Sequence, residues 1–512
     1  MTTSVRVRFV FTLGANLLRA LLSFVTGMLL ARWMGPRDYG NMSFLLGTFL
    51  GIRQLLDLGT STAFFTFLSQ TPRSRRFVNG FFVWLAIQFI LPALAIAFVL
   101  PGAWLATVWH GEHRGVVLLA FAAAFMQNSA WPAVQQAAES QRKTLWVNSI
   151  SVAIAIVHII AVFVLWRIGA LALPWIFLAI SLEFLVAGIV AHQRFSYADD
   201  ADDPDSASLG VMVRKYWVYC VPLIPYAFFG FAQEFADRWL LQNYGGGVQQ
   251  AFYAVGAQFA AIALLATTSI LRIFWKEVAE AHHRKDHQRA GELYRRVTRL
   301  LFLVGAICSG ILLPWASEIL RLVLGDAYGN GALTLAIMFL YPIHQSMGQI
   351  GGTMLYATER VSVVVYTGIG TVVLGLIVAY FVLAPSTATI PGLGLASAGL
   401  AAKMVLVQLV GVNVTAFLIA RIFKWPFDWI FQPASILGCL AIGWASRALV
   451  LLVPIASVPV LIQMIVSGVI YIMGIAGFVY AFPTLAGLTR ESLQADIAQI
   501  PGLIEKFRAG LG

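Results

Sequence analysis

The chain has 512 residues, of which 60% are hydrophobic and only 11% charged, and its mean hydropathy is +0.82; this is more apolar surface than a water-soluble globule can bury. The net charge of +11 could suit nucleic acid, but the cations fall in alternate polar loops and build no basic domain, so the excess reports membrane topology. A soluble enzyme and a nucleic-acid-binding protein are excluded, which leaves an all-α, polytopic membrane protein.

Arg6 and Arg8 precede a first apolar run at about residues 9–31. It is longer than a signal-peptide core and holds Arg19 in place of a small-residue cleavage motif, so it reads as a retained span. The polar link from Ala31 to Gly40, with Gly35-Pro36 at its centre, predicts a turn at a membrane surface before a second run at about 43–69. Further runs lie at about 77–100, 115–138, 146–166, 171–191, 217–243, 252–275, 300–317, 331–356, 361–383, 395–420, 432–453 and 459–482, giving fourteen expected transmembrane helices.

That count sorts the loop charges. Arg73, Arg75, Arg76, Arg142, Lys143, Arg194, Arg214, Lys215, the Lys276–Arg299 cluster, Arg360, Arg421 and Lys424 fall on one side, and only Arg32, Arg37, Arg114, Arg167 and Arg321 on the other. The positive-inside rule then places both termini in the cytoplasm. Trp33, Trp104, Trp109, Trp146, Trp166 and Trp217 sit near run ends, as interfacial anchors do. Cys220, Cys308 and Cys439 stand singly in apolar runs, so neither disulfides nor a metal site is expected, and they read as small packed hydrophobes.

Residues 192–216 carry Asp199, Asp200, Asp202, Asp203 and Asp205 and read as a solvated cytoplasmic linker. It separates two related halves. Arg32-Trp33 with Tyr39-Gly40 recurs as Arg238-Trp239 with Tyr253-Ala254, Pro101 to Glu112 as Pro314 to Asp326, and Ala138-Glu139 to Arg142 as Ala357-Thr358-Glu359-Arg360, all at offsets of about 206–220 residues. The expected organisation is a six-helix bundle over residues 1–191, the linker, a second six-helix bundle over 217–424, two extra helices over 425–482, and a cytoplasmic tail over 483–512. In that tail Leu493, Ile497, Ile500, Ile504 and Phe507 recur at helical spacing. The Lys276–Arg299 cluster, with His282, His283 and His287, reads as a basic helix touching anionic lipid. Parallel repeats about an axis along the membrane normal are a transporter architecture.

Charges inside the runs point to function, because each costs at least about 2.5–3.5 kcal/mol in lipid without a partner or a wet cavity. Arg19 and Lys403 have no partner within their own runs. Arg53 and Asp57, like Glu234 and Arg238, are four residues apart and could neutralise each other. Arg272 and Arg447, near run ends, could snorkel. Arg19, Arg53, Lys403 and Arg272 are the expected substrate-binding residues, since excess cations suit an anionic substrate and the guanidinium fork matches phosphate. Asp57, Glu183, Asp237 and His344 are the expected ion or proton relay. His158 reads as a packed, hydrogen-bonded histidine, and His110, Glu112 and His113 form only a weak zinc pattern.

Asn16, Arg32, Gly35 to Gly40 and Asp57-Leu58-Gly59 resemble the opening of the Wzx-type polysaccharide and O-antigen flippases, members of the multidrug/oligosaccharidyl-lipid/polysaccharide exporter superfamily. Asp237-Arg238 with Tyr253-Ala254, and Leu324-Gly325-Asp326-Ala327-Tyr328, resemble the second-half signatures of that family; the likeness covers about residues 9–420. The resemblance implies a multi-pass protein of the bacterial inner membrane that moves an undecaprenyl-diphosphate-linked oligosaccharide to the periplasmic leaflet by alternating access. It implies a monomer without cofactor or metal, working beside a polysaccharide polymerase and export machinery. Related peptidoglycan-precursor flippases carry an arginine early in the eighth span, where this chain has Gly256-Ala257-Gln258, which argues against a lipid II substrate. The rival readings are a cation-coupled multidrug exporter, which would favour cavity carboxylates, and an integral-membrane glycosyltransferase or ligase, which would need a larger outer domain.

Overall fold

The computed structural model describes residues 5–71, 73–197, 209–452 and 458–491, with the side chains of residues 5–10, 209, 265–270 and 272 outside that description. The acidic stretch from Asp199 to Asp205 and the tail stripe from Leu493 to Phe507 also lie outside it. Each of the fourteen apolar runs falls on helix. Among the described residues, ten helices are long and apolar enough to cross a membrane. Three features lower that number: the first two runs share one kinked helix, Val5–Asp57; the kinked helix Ile224–His283, which carries the seventh and eighth runs, is not among the ten; and the helix Tyr341–Ala357 has only 17 residues.

Packing divides the chain into two compact units, one of Met1–Val255, Val323–Tyr328 and Val372–Leu400, the other of Gly256–Leu322, Gly329–Thr371 and Ala401–Gly512. The first unit contains α1 (Val5–Asp57), α2 (Thr60–Gln70), α3 (Arg75–Leu94), α4 (Gly102–Val108), α5 (Arg114–Phe125), α6 (Trp131–Ser140), α7 (Thr144–Arg167), α8 (Leu173–His192), α9 (Leu209–Cys220) and the start of α10 (Ile224–His283). Here α1 packs along α7 and α5, and α8 lies against both. Asn148 Nδ2 donates to Thr12 Oγ1 at 3.2 Å, and Trp33 stacks on Trp166 at 4.5 Å, so α1 and α7 run parallel.

The turn expected at Ala31–Gly40 is instead a one-residue elbow in α1. Gly35 takes φ 80°, ψ 167°, a region open essentially to glycine alone, and Pro36 then starts the second arm with its φ already set. A single glycine redirects the chain without a loop. In α10 the same device recurs at Gly246, φ 72°, ψ −177°, within the repeat offset seen in the sequence. A Cβ at Gly40 would collide with the carbonyl of Gly247, and Gln242 Nε2 donates to Asn41 Oδ1 at 3.1 Å beside that contact. Gly47 and Gly51 continue the seam on α1 against Arg238 and Phe235. Small residues at this spacing let two helices approach closely where lipid offers no hydrophobic driving force.

Tyr328, fully buried, donates its hydroxyl to Ala31 O at 2.8 Å, and Arg32 donates to Val323 O at 3.3 Å. The Leu324–Tyr328 segment thus braces the end of α1's first arm. Pro92 in α3 is followed by a π turn at Ala95–Val99, whose freed carbonyls are collected by Arg114, bonded to Ala97 O at 2.5 Å and Leu100 O at 2.8 Å. A second π turn, Met126–Ala130, joins α5 to α6 ahead of Pro132; such bulges re-aim side chains within a span.

The second unit contains the rest of α10, α11 (His287–Leu312), most of α12 (Ala316–Leu324), α13 (Ala332–Met338), α14 (Tyr341–Ala357), the start of α15 (Val361–Leu383) and the larger part of α16 (Ala396–Phe423), with α17 (Phe431–Leu452) and α18 (Val460–Ala481). Its centre is α11, packed on α14 and α17. Gly310 and Gly443 bring α11 and α17 together backbone to backbone, and Tyr471 on α18 donates to Ile307 O at 2.9 Å. Cys439 is buried in this core with Phe302, Ile343 and Met347. Arg447 does not snorkel. It bonds Pro314 O and pairs with Glu318 Oε1 at 2.6 Å, its guanidinium over Trp315.

Candidate functional site

Arg53 stands half-buried on the second arm of α1, between Gly51 and Gln54, which press on Phe235 and Gly230 of α10. Asp57 lies one turn further on but does not pair with it. Leu58 (φ 47°) and Gly59 (φ 85°) break the helix there, and the Asp57 Oδ1 atom accepts from Thr60 Oγ1 (3.1 Å), Ser61 N (2.9 Å) and Ser61 Oγ (2.6 Å). The carboxylate is committed to the exposed N–H groups that begin α2. Arg53 therefore keeps a buried Nε with no hydrogen-bond partner, and among the described residues it makes no ion pair. A buried donor left unsatisfied costs about 1–3 kcal/mol, more when charged, and an anion would remove that cost.

Arg19, half-buried on the first arm of α1, lies within Coulombic reach of Glu139 on α6, whose residue is exposed. No direct ion pair joins them among the described residues. The sequence showed Arg19 without a partner in its own helix, and the facing acid comes from a helix more than a hundred residues on, in the Ala138–Arg142 segment picked out by the internal repeat.

Of the expected relay residues, Glu183 on α8 meets His158 on α7, with Nδ1 2.9 Å from Oε2 and 3.2 Å from Oε1. Asp237 is buried on α10 beside Arg238, which pairs with Glu234 at 3.4 Å and lies over the Tyr253 ring at 5.2 Å. These groups belong to the first unit. In the second, His344 is buried on α14 with its ring edge-on to Phe302 at 5.4 Å and neither nitrogen hydrogen-bonded among the described residues. Lys403 on α16 is 1% exposed, enclosed by protein. The Arg272 side chain lies outside the described residues. Among the described residues no cluster of three or more metal-ligating side chains is present, so the His110, Glu112 and His113 loop carries no zinc-type set; burial raises the Glu112 carboxyl above its ordinary value, opposed by His113 and assisted by Asp38.

Arg19 and Arg53 stand on the two arms of one bent helix, and among the described residues no contact joins them; the carboxylate–imidazole pair of Glu183 and His158 lies on neighbouring helices of the same unit. These groups have the means to bind an anion and to hold a proton.

The family described as "Polysaccharide biosynthesis protein" matches residues 8–274, just over half of the chain. No curated protein matches. Among solved structures, a lipid II flippase in an inward closed conformation is similar with a TM-score of 0.68 at 13% identity, over 92% of this chain and 99% of that one. An inward-facing multidrug resistance transporter gives 0.60 at 12% identity, over 79% and 96%. A superfamily transporter from Pyrococcus furiosus gives 0.53 at 12%, over 82% and 96%. Bent glycine elbows, paired helical units and intramembrane arginines stand in a chain that belongs to the polysaccharide biosynthesis protein family and has the membrane fold of the multidrug/oligosaccharidyl-lipid/polysaccharide exporter superfamily.

Proposed function

We propose that this protein is a flippase that carries an undecaprenyl-diphosphate-linked oligosaccharide from the cytoplasmic to the periplasmic leaflet of the bacterial inner membrane, by alternating access. The observation that carries the reading is the buried, unpartnered Nε of Arg53: a guanidinium held in an expected span without a counter-ion is a receptor for one, and phosphate fits its fork. Arg19 supplies the second cation, with Glu139 as the weaker acid that the diphosphate displaces. The lipid tail stays in the bilayer and no covalent step is needed. Each negative charge moved outward gains about 2.3 kcal/mol per 100 mV of inside-negative potential. Family membership supports the polysaccharide context.

The test is surface polysaccharide in cells carrying Arg53→Ala or Arg19→Ala, with the amount of protein in the membrane measured in parallel. The expected outcome is loss of polymer and build-up of the lipid-linked intermediate on the cytoplasmic leaflet. Undiminished polymer with the variant as sole copy would overturn the assignment. A cation-coupled drug exporter shares the fold, but would place free carboxylates where this chain places arginines.

A further inference from the structure

We infer that His158 and Glu183 form a proton-binding site within the membrane, and that its occupancy couples a proton to the translocation proposed above, on which this coupling rests. Glu183 lies near the middle of α8 and His158 past the middle of α7. The height of His158 is fixed from both sides, between the Asn148–Thr12 hydrogen bond and the Trp166–Trp33 stack. At that depth a lone carboxylate is costly, and the side chains of His158 and Glu183 are only 18% and 7% exposed. Both carboxylate oxygens face one imidazole nitrogen, at 2.9 and 3.2 Å.

The neighbouring charges leave the pair to set its own state. Against α7 and α8 pack α1, which carries Arg19, Arg32, Arg37, Asp38, Arg53 and Asp57; α5, with Arg114; α6, with Glu139; and the π turn Met126–Ala130, which holds no ionisable group; among the described residues none of these charges makes an ion pair with His158 or Glu183. Arg32 is bonded to Val323 O, Arg114 to Ala97 O and Leu100 O, and Arg19 faces Glu139. Holding one proton, the pair has no net charge, whichever partner carries it; a second proton makes it a cation and loss of the first an anion. Each change of state adds a full charge in a low-dielectric layer. A conformational change that wets the pair from one side lowers the cost of that charge, which is what a coupling site requires.

Two measurements test this. Infrared difference spectroscopy of the purified protein in lipid, between an acid and an alkaline buffer, should show a buried carboxyl band that is lost in Glu183→Gln and displaced in His158→Gln. A carboxyl spectrum of the folded Glu183→Gln variant identical to that of wild type overturns the site. In proteoliposomes, a gradient of one pH unit, acid on the acceptor side, should shift the final distribution of a fluorescent undecaprenyl-diphosphate disaccharide about tenfold per coupled proton. Glu183→Gln should reduce that ratio to about one while the probe still equilibrates. A variant that keeps the wild-type ratio overturns the coupling. Wild-type vesicles that move no probe count against the flippase reading, and the infrared result then stands or falls alone.

Discussion

Gly40 and Gly247 meet backbone to backbone, so that a side chain on Gly40 would strike the carbonyl of Gly247. The contact joins the two helices that carry the elbows at Gly35 and Gly246, and it explains why glycine clusters at those two places. Replacing Gly247 by Val should cost about 3 kcal/mol, the upper range for overpacking, and Gly35→Ala about 1–3 kcal/mol from backbone strain alone. Thermal unfolding midpoints in detergent check both, and Gly14→Ala, where a Cβ meets nothing, should leave the midpoint unmoved.

Tyr328 ties the distant Leu324–Tyr328 segment to the end of α1's first arm through one buried hydrogen bond to Ala31 O. Tyr328→Phe keeps the packing and removes the bond, so a loss of about 1 kcal/mol is expected. The same denaturation series measures it.

Asp57 separates two roles cleanly. As the acceptor that begins α2, it should be replaceable by Asn, while Asp57→Ala should cost about 1 kcal/mol. As a proton relay it should tolerate neither. Surface polymer made by the Asn variant decides between them, and the geometry predicts polymer.

Arg447 and Glu318 are each about one-fifth exposed, sheltered enough to couple. A double-mutant cycle with Arg447→Met and Glu318→Gln should return an interaction of about 1–3 kcal/mol. A value near zero would mean that the Pro314 carbonyl and Trp315 hold Arg447 by themselves.

The helical architecture was legible because membrane spans are written in long apolar runs. The elbows were not. A Gly-Pro between two apolar runs reads as a loop, since nothing local says that a single residue in a glycine-only conformation is enough; the triple glycine Gly245-Gly246-Gly247 at the repeat offset was the available signal. Among the charges, spacing suggested Arg53 with Asp57, but a helix break at Leu58 and Gly59 turned the carboxylate to the next helix. The contact of His158 with Glu183, and the Coulombic influence of Glu139 on Arg19, run between helices, which periodicity within one helix cannot reveal.

The central claim is that the two arginines of α1 hold a diphosphate during passage. Its most direct test is the rate at which purified protein in proteoliposomes moves a fluorescent undecaprenyl-diphosphate disaccharide between leaflets, read by quenching from outside. Arg53→Ala and Arg19→Ala, folded and inserted as wild type, should slow this rate on the order of a hundredfold, the loss expected for a desolvated charge contact, with Arg53→Lys intermediate. Flipping by both alanine variants at the wild-type rate would contradict the central claim.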